Sequence, residues 1–192
     1  FNHKGERGRV AVIGGSKGMA GAMILSTTAA LRSGCGLCTA FVPKGMDSVV
    51  HTGIPEATVQ TGPTEGYHSW SEDYHFAGYN AIALGPGIGQ HPHTAQMVKK
   101  VLQTGVPLVI DADALNIVAS NSWQDLIPQG SVLTPHPKEF ERLFGASSND
   151  FDRLALLQEK AREFDLILLL KGAHTVIALP NGHCYFNNTG NP

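Results

Sequence analysis

Short apolar runs rich in β-branched residues alternate along the chain with stretches of helical periodicity. The predicted strands lie within residues 9–15, 36–42, 56–60, 80–89, 107–116, 131–135 and 165–172, and the predicted helices within 20–34, 94–105, 137–145 and 150–164. Residues 174–187 read as a hairpin that turns at residues 180–182. Because fully apolar strands alternate with helices, the pattern predicts an α/β fold, a mostly parallel sheet with helices on both faces.

Glycine or polar residues follow five of the predicted strands. In chain order these residues are Gly14, Gly15 and Ser16; Gly85, Gly87 and Gly89; Asp111 and Asp113; Thr134, His136 and Glu139; Lys171, Gly172 and Thr175. Ligands of open parallel sheets bind beyond the carboxyl ends of the strands. The pattern therefore predicts one binding rim at that edge of the sheet.

Composition narrows the classes of function. The length of 192 residues predicts a single domain, residues 1–192, and 42% hydrophobic residues are enough for a substantial core. A formal charge of −2 gives no reason to expect nucleic acid or a membrane surface as partner, and no run of eighteen apolar residues is present. Three cysteines, an odd number, favour a reduced, cytoplasmic setting.

Two glycine-rich stretches follow strands. GGSKGMAGA, residues 14–22, opens a helix whose N–H groups favour an anion, but it matches neither the dinucleotide fingerprint nor the P-loop. GPGIG, residues 85–89, offers bare backbone N–H groups to a phosphate or a nucleotide sugar. The alternative for each stretch is a tight turn that allows close helix packing.

Single side chains at the strand ends carry the remaining chemistry. Of Asp111 and Asp113, one is a candidate helix cap and the other a candidate ligand of a metal or hydroxyl. In TPHPKEF, two prolines fix the backbone around His136, which suits a ligand contact, the alternative being a histidine that caps or packs. Lys171 could meet a nucleotide phosphate or simply extend into solvent.

Two further patterns invite a metal or redox interpretation. Cys35 and Cys38 form C-x-x-C, but the pair follows a helix and enters a strand, so a structural role is favoured over zinc or redox chemistry. His91 and His93 form either a metal pair or the start of a surface helix.

Taken in order, several of these stretches resemble one known family. HKGERGRVAVIGGSKGMAGA, LGPGIG, VIDADALN, LTPHPKEFERL, LLKGAHTVI and NTGNP are similar to motifs of the ADP/ATP-dependent NAD(P)H-hydrate dehydratases, which belong to the ribokinase-like superfamily. The similarity extends over nearly the whole chain and implies a ribokinase-like fold.

The resemblance implies a repair reaction on a damaged cofactor. Enzymes of this family phosphorylate the hydroxyl of the S epimer of hydrated NAD(P)H, using ADP or ATP with Mg²⁺, and then eliminate phosphate. Carried over to this sequence, Ala22, Gly87, Gly89 and His136 would contact the hydrate. The nucleotide would be bound by Lys171, Gly172, Ala173, His174 and Thr175. Asp113, Asn116 and Asn191 are further candidates without an assigned role.

The resemblance also implies that this sequence is truncated after Pro192. In the family, NTGNP leads into a Gly-rich turn that starts a helix, and the Asp closing this turn would be the catalytic base. This Asp is expected beyond Pro192, so no catalytic residue is expected within residues 1–192. The last helices and a short lead-in are expected to be missing as well. A homo-oligomer and a fused or separate NAD(P)H-hydrate epimerase are the expected partners.

Two competing functions remain open. One is a ribokinase-like kinase that acts on a hydroxymethylpyrimidine or thiazole alcohol and leaves a stable phosphate ester. The other is a nucleotide-binding module without catalytic activity. TPHPKEF and GGSKGMAGA favour the dehydratase over the kinase.

Overall fold

The apolar runs fold as neighbouring strands of one nine-stranded sheet in the computed structural model, which describes residues 7–189. The strands are β1 (Arg9–Ile13), β2 (Leu37–Lys44), β3 (Thr58–Glu65), β4 (Ala81–Leu84), β5 (Leu108–Ile110), β6 (Val132–Leu133), β7 (Ile167–Leu170), β8 (Thr175–Ala178) and β9 (Cys184–Asn187). Their order across the sheet is β3-β2-β1-β4-β5-β6-β7-β8-β9. Neighbours from β3 to β7 run parallel, whereas β7–β8 and β8–β9 are antiparallel. The predicted hairpin accounts for the β8–β9 pair, and the antiparallel β7–β8 pair was not predicted.

Six α-helices cover this sheet within the described residues. They are α1 (Ala20–Arg32), α2 (Asp47–Gly53), α3 (Pro92–Leu102), α4 (Asp113–Asn121), α5 (Pro137–Phe144) and α6 (Asp150–Glu163). Local signals set several of their ends. Gly34, with φ +96°, follows the last turn of α1, and its N–H donates to the carbonyl of Leu31. The side chain of Asn149 accepts hydrogen bonds from two backbone N–H groups at the start of α6.

Alternate residues of β1 belong to two different cores, which shows that both faces of the sheet are covered. Val12 packs with Met23 of α1 and Val50 of α2. Ala11 and Ile13 belong to the larger core, which also contains residues of α3 to α6. Because successive side chains of a strand point to opposite faces, the two cores lie on the two sides of the sheet. The predicted α/β layering is confirmed.

The strand order reverses at β1, which pairs with β2 on one side and with β4 on the other. The helices that follow β1 and β4 therefore leave toward opposite faces, with Met23 of α1 in one core and Met97 of α3 in the other. Such a switch point opens a crevice beyond the carboxyl ends of the two strands. The fold itself thus marks the place where a ligand site is expected.

The C-x-x-C pair has a structural setting. Cys35 and Cys38 are both free thiols, and Cys38 is buried in β2. Burial raises the pKa of Cys38 to about 12. A thiol that stays protonated at neutral pH is a poor nucleophile and a poor metal ligand.

Within residues 7–189, no helix combines the length and the apolar composition that crossing a membrane would require.

Candidate active site

The loops after β1 and β4 meet at the switch point through backbone hydrogen bonds. The N–H of Gly15 donates to the carbonyl of Pro86 over 2.8 Å. The N–H of Gly85 donates to the carbonyl of Ile13 over 3.1 Å. The two glycine-rich stretches, which lie far apart in the sequence, therefore form one continuous surface.

In the loop after β5, Ala112 lies between Asp111 and Asp113. The backbone of Ala112 has an unusual conformation. Its φ of 52° and ψ of −122° lie in a region that residues with a side chain rarely adopt. The neighbouring chain approaches closely here, since a Cβ on Gly85 would lie only 1.8 Å from the carbonyl oxygen of Asp111. Local strain of this kind is concentrated at binding and catalytic sites.

Asp111 and Asp113 contact different loops of the rim. Asp113 Oδ2 accepts a hydrogen bond from the N–H of Gly89 over 2.9 Å. Asp111 Oδ1 lies 2.8 Å from Nζ of Lys171. Helix α4 starts without a side-chain cap, so the prediction that one of these carboxylates caps the helix is wrong. Both carboxylates instead tie the end of β5 to the ends of β4 and β7.

His136 begins helix α5 and takes part in a capping box. Its Nδ1 accepts a hydrogen bond from the N–H of Glu139, and its own N–H donates to Oε2 of Glu139 over 2.8 Å. Pro137 is the first helical residue, as predicted. Nε2 lies 3.5 Å from Oε1 of the buried Glu139, and the side chain remains 45% exposed. His136 therefore caps the helix and also presents its ring to the rim.

Lys171 ends β7 beside the loop that carries His136. Its N–H donates to the carbonyl of Pro135 over 2.9 Å, so His136 and Lys171 lie on the same edge of the sheet. A cavity of about 520 Å³ opens here. Its walls are formed by Pro137, Asp150, Phe151, Arg153, Leu154, Leu170, Lys171, Gly172, Ala173, His174, Val176 and Phe186. The side chain of Lys171 is 43% exposed, which leaves its ammonium accessible in spite of the ion pair.

The described residues contain no group of three or more His, Cys, Asp or Glu side chains able to hold a metal ion. His91 and His93 lie at the start of α3, where His91 Nδ1 accepts a hydrogen bond from the N–H of His93. The ring of His91 stacks on Tyr67 with 3.8 Å between the ring centroids. The prediction that these histidines open a surface helix is therefore the correct one.

The profile of a protein family described as NAD(P)H-hydrate dehydratase matches residues 10–192. The chain belongs to this family. A bifunctional NAD(P)H-hydrate repair enzyme of Moorella thermoacetica is 42% identical to it over 200 residues, which include 99% of this chain and 38% of that protein.

Solved structures agree with this membership of the NAD(P)H-hydrate dehydratase family. A ribokinase-like superfamily protein from Enterococcus faecalis superposes with a TM-score of 0.82 at 28% identity, covering 100% of this chain and 66% of that one. The ADP/ATP-dependent NAD(P)H-hydrate dehydratase of Bacillus subtilis, co-crystallised with ATP and Mg²⁺, superposes with a TM-score of 0.77 at 31% identity, covering 99% and 67%. The predicted ribokinase-like fold is confirmed, and the chain spans between about two fifths and two thirds of the length of these relatives.

Three of the four residues that the family resemblance assigns to the hydrate, Ala22, Gly87 and Gly89, lie at the switch point. Gly87 contacts α1, because a Cβ at this glycine would lie 3.2 Å from Cβ of Ala22. Gly89 is held by Asp113. His136 reaches the same rim through the loop after β6, where the N–H of Thr134 donates to the carbonyl of Ile110. Their contacts with a substrate remain predictions.

The residues assigned to the nucleotide lie at the cavity, whereas the side chain of Asn116 contacts neighbouring backbone and side chains. Residues 171–174 line the 520 Å³ cavity, and Thr175 begins β8 beside it. The side chain of Asn116 is engaged between helices, since its Oδ1 accepts a hydrogen bond from Arg142 over 2.7 Å and its Nδ2 donates to the carbonyl of Ala112.

The last candidate residue, Asn191, lies outside the described residues. The family profile matches the sequence up to residue 192. The catalytic Asp expected beyond Pro192 therefore stays a prediction, and so does the view that residues 1–192 contain no catalytic base.

The cavity walls outside residues 171–174 were not identified from the sequence, and neither was His68, which touches the rim. His68 is 1% exposed, and its Nε2 lies 3.0 Å from the carbonyl oxygen of Gly14 and 2.8 Å from that of Gly15. In the sequence it is a lone histidine in a connection between β3 and β4, without motif or periodicity. No local signal could have identified it.

Proposed function

We propose that this chain carries the ADP- or ATP-dependent dehydration of (S)-NAD(P)H hydrate to NAD(P)H. The observation that carries the proposal is the placement of the family's predicted hydrate residues and its predicted nucleotide residues on one rim, joined through Asp111 and Lys171. A phosphoryl transfer needs acceptor and donor side by side in fixed geometry. One shared edge of a parallel sheet provides that arrangement.

The hydrate would bind at the switch point between β1 and β4. Ala22, Gly87 and Gly89 present mostly backbone here, which allows the close approach of a dinucleotide. His136 would contact the hydrate from the loop after β6, held in place by its capping box. Because the ring of this histidine is held by the hydrogen bond that its Nδ1 accepts from the N–H of Glu139, binding would cost little ordering of its side chain.

The nucleotide would occupy the 520 Å³ cavity at the β7 end of the same rim. Leu170, Val176 and Phe186 supply apolar walls suited to a purine ring. The Lys171 ammonium, at the edge between cavity and rim, would contact the phosphates. Gly172, Ala173 and His174, together with Thr175 at the start of β8, would complete the nucleotide contacts.

The chemistry follows from leaving-group ability. The hydroxyl oxygen of the hydrate forms a bond with the terminal phosphorus of ADP or ATP, the bond from phosphorus to the bridging oxygen breaks, and the hydroxyl proton goes to a base. In the second step the carbon–oxygen bond breaks, phosphate leaves, and the lone pair of the ring nitrogen drives formation of the double bond as a ring proton is lost. The base is proposed to be the Asp of the family's Gly-rich turn beyond Pro192, since Asp111 and Asp113 already bind Lys171 and Gly89.

Mg²⁺ is proposed to arrive with the nucleotide. The described residues form no cage of three or more ligating side chains, and Mg²⁺ usually keeps waters and binds phosphates with one or two carboxylates. Asp111 and Asp113 are the carboxylates at this rim that fit such a role. The ion would supply charge neutralisation for the transferring phosphoryl group.

The partner enzyme, the compartment and the oligomeric state are also part of the proposal. The Moorella relative is named a bifunctional repair enzyme. We therefore infer that an epimerase, fused or separate, supplies the S epimer to this chain in the cytoplasm. A homo-oligomer remains part of the proposal.

The test is an assay of the protein that carries this chain. It is incubated with (S)-NADPH hydrate and either ADP or ATP, and the recovery of the absorbance of the reduced nicotinamide is followed. The proposal expects recovery with the nucleotide, release of phosphate, and none with the R epimer in the absence of an epimerase. A stable phosphate ester of a small alcohol, formed without recovery of NADPH, would instead establish the kinase. Nucleotide binding with neither product would point to a binding module.

A further inference from the structure

His68 is a buried polar side chain that lies directly against the glycine loop of the proposed hydrate site. Its Nε2 faces two carbonyl oxygens, those of Gly14 at 3.0 Å and Gly15 at 2.8 Å. Carbonyl oxygens only accept, so Nε2 carries the hydrogen and donates to both. Burial lowers the pKa of this histidine, which favours the neutral ring in this position.

The same segment holds the loop at a second point. The N–H of Lys17 donates to the carbonyl of Gly66 over 3.0 Å. Residues 66–68 therefore contact residues 14–17 on both sides of Ser16, which is itself buried. The loop conformation is fixed by hydrogen bonds from outside the motif as well as by its own glycines.

The backbone of His68 connects this loop to the other half of the switch point. Its carbonyl accepts a hydrogen bond from Oγ1 of Thr94 over 3.0 Å. Thr94 is fully buried in the first turn of α3, shortly after the loop of Gly87 and Gly89. One residue therefore braces the β1 loop through its side chain and α3 through its main chain.

We propose that His68 is a positioning residue that sets the distance between the two glycine loops which hold the hydrate. This inference rests on the proposed function. If His68 only filled space, its Nε2 would need no hydrogen-bond acceptor. A residue that holds the β1 loop in place must donate hydrogen bonds to it, as Nε2 does to the carbonyls of Gly14 and Gly15. The ring is too deeply buried to touch a ligand itself, so its effect would be on the placement of Gly14, Gly15 and Ala22.

Three variants of His68 separate the effect of its hydrogen-bond donor from the effect of its ring volume. His68→Phe keeps a similar ring without a donor. His68→Gln keeps an amide N–H near the position of Nε2, and His68→Asn is too short to place one there. We expect H68F and H68N to raise the KM for (S)-NADPH hydrate by about tenfold or more, because small misplacements in a site are costly. H68Q should stay within about threefold of the wild type, because its donor is retained.

The nucleotide serves as an internal control. The cavity of Lys171 to His174 lies at the other end of the rim, so the Kd for ADP should change by less than about twofold in all three variants. Ser131→Ala is a control for general destabilisation. It removes a buried hydrogen bond to the N–H of Leu108, at the opposite edge of the sheet, and should leave the KM for the hydrate unchanged.

Amide hydrogen exchange gives a readout that does not need turnover. In H68F the N–H groups of Gly15 and Lys17 should exchange faster, while that of Ile110 in β5 keeps its protection. If H68F does not fold, the comparison of H68Q with H68N replaces it.

The outcomes distinguish the two proposals. A wild-type protein that does not recover NADPH overturns the proposed function, and unchanged exchange at Gly15 and Lys17 in H68F would then overturn the brace as well. Wild-type turnover with unaltered KM in H68F and H68N overturns the role of His68 alone. An equal rise of KM in H68Q and H68N, or a matching rise in S131A, would show that His68 only stabilises the fold.

Discussion

At position 85 a hydrogen atom is the largest side chain that the neighbouring backbone accommodates. Gly85 has φ +129°, and a Cβ there would overlap the carbonyl oxygen of Asp111 at 1.8 Å. The contact is between two backbones, so no flexible side chain can move aside. This position fixes how closely the loop of GPGIG approaches the carboxylates of β5.

We predict that Gly85→Ala lowers the free energy of unfolding by more than about 3 kcal/mol, a loss typical of severe steric conflict in a packed region. Gly105→Ala is the matched control. Gly105 also has a positive φ, +72°, but nothing lies within 4 Å of its Cβ position. It should cost only the conformational term, about 1 kcal/mol. Urea denaturation of both variants measures the difference, and equal losses would mean that the close approach to Asp111 is not enforced.

A second feature at the residue scale is that Asp111 and Asp113 contact different partners. Ala112 separates them, and its backbone conformation is unusual. The carboxylate of Asp111 contacts Lys171, whereas that of Asp113 accepts a hydrogen bond from the N–H of Gly89. The ion pair of Asp111 is partly exposed, so its net contribution to stability is small. Its consequence is geometric, because it joins the loop after β5 to the cavity in which we propose that the nucleotide binds.

At the scale of the element, helix α5 combines a structural and a proposed binding role in one residue. His136 caps the helix through Nδ1 and also presents its ring to the rim. Replacing such a residue with alanine removes both roles and leaves them indistinguishable. A substitution that caps without an imidazole separates them.

We predict that His136→Asn keeps the free energy of unfolding within about 0.5 kcal/mol of the wild type, since asparagine is a strong helix cap. His136→Ala should lose about 1 kcal/mol. Both variants should raise the KM for the hydrate. Chemical denaturation and steady-state kinetics provide the two measurements. Wild-type KM in H136N would restrict His136 to capping and would remove it from the proposed hydrate site.

Elements with strong local signals could be predicted from the sequence, and those fixed by tertiary contacts could not. The buried strands and α1, α3, α5 and α6 follow from apolar runs, periodicity and glycine or proline stops. Helix α2 was missed, because its seven residues bury only Val50. A helix was expected after the carboxylates that follow β5, but the strand predicted within residues 107–116 overlaps the start of α4 at Asp113, where Ala112 provides no capping side chain.

The same distinction applies to the site. Strand-end glycines, carboxylates, His136 and Lys171 could be predicted, because parallel strands bring their carboxyl ends to one edge. Their pairing could not, since it depends on the strand order. Lys171 meets Asp111 across β6, although sixty positions separate them in the sequence. His68 shows the limit most clearly, because only the folded connection between β3 and β4 brings it to Gly14 and Gly15.

At the scale of the whole molecule, the rim is a chain of contacts that crosses the sheet. It runs from the β1 loop to the β4 loop through Gly15 and Pro86, then to β5 through Gly89 and Asp113, and on to β7 through Asp111 and Lys171. Each link uses backbone or charged groups at strand ends and leaves the two cores apolar. The site is thus built on the edge of a rigid scaffold, which suits the proposed phosphoryl transfer.

A buried neutral histidine in this rim should make the stability of the whole domain depend on pH. Burial lowers the pKa of His68 in the folded protein, whereas the unfolded chain has the ordinary value near 6.5. Well above about pH 6.5 neither state binds the proton, and stability is unaffected. Below it the unfolded state gains a proton that the folded state excludes, so stability falls as pH falls toward the folded pKa.

We therefore predict that the free energy of unfolding of the wild type decreases more between pH 7 and pH 5.5 than that of His68→Gln, which cannot titrate. His68→Phe is the informative companion. It lacks the donor to Gly14 and Gly15 and should be less stable at pH 7, yet its dependence on pH should be as flat as that of H68Q. Denaturant midpoints at the two pH values, with unchanged slopes, measure both effects. If the free energy of unfolding of all three proteins changes equally with pH, the fold does not keep the ring of His68 neutral. The proposed role of the neutral ring as a donor to Gly14 and Gly15 would then lose this support.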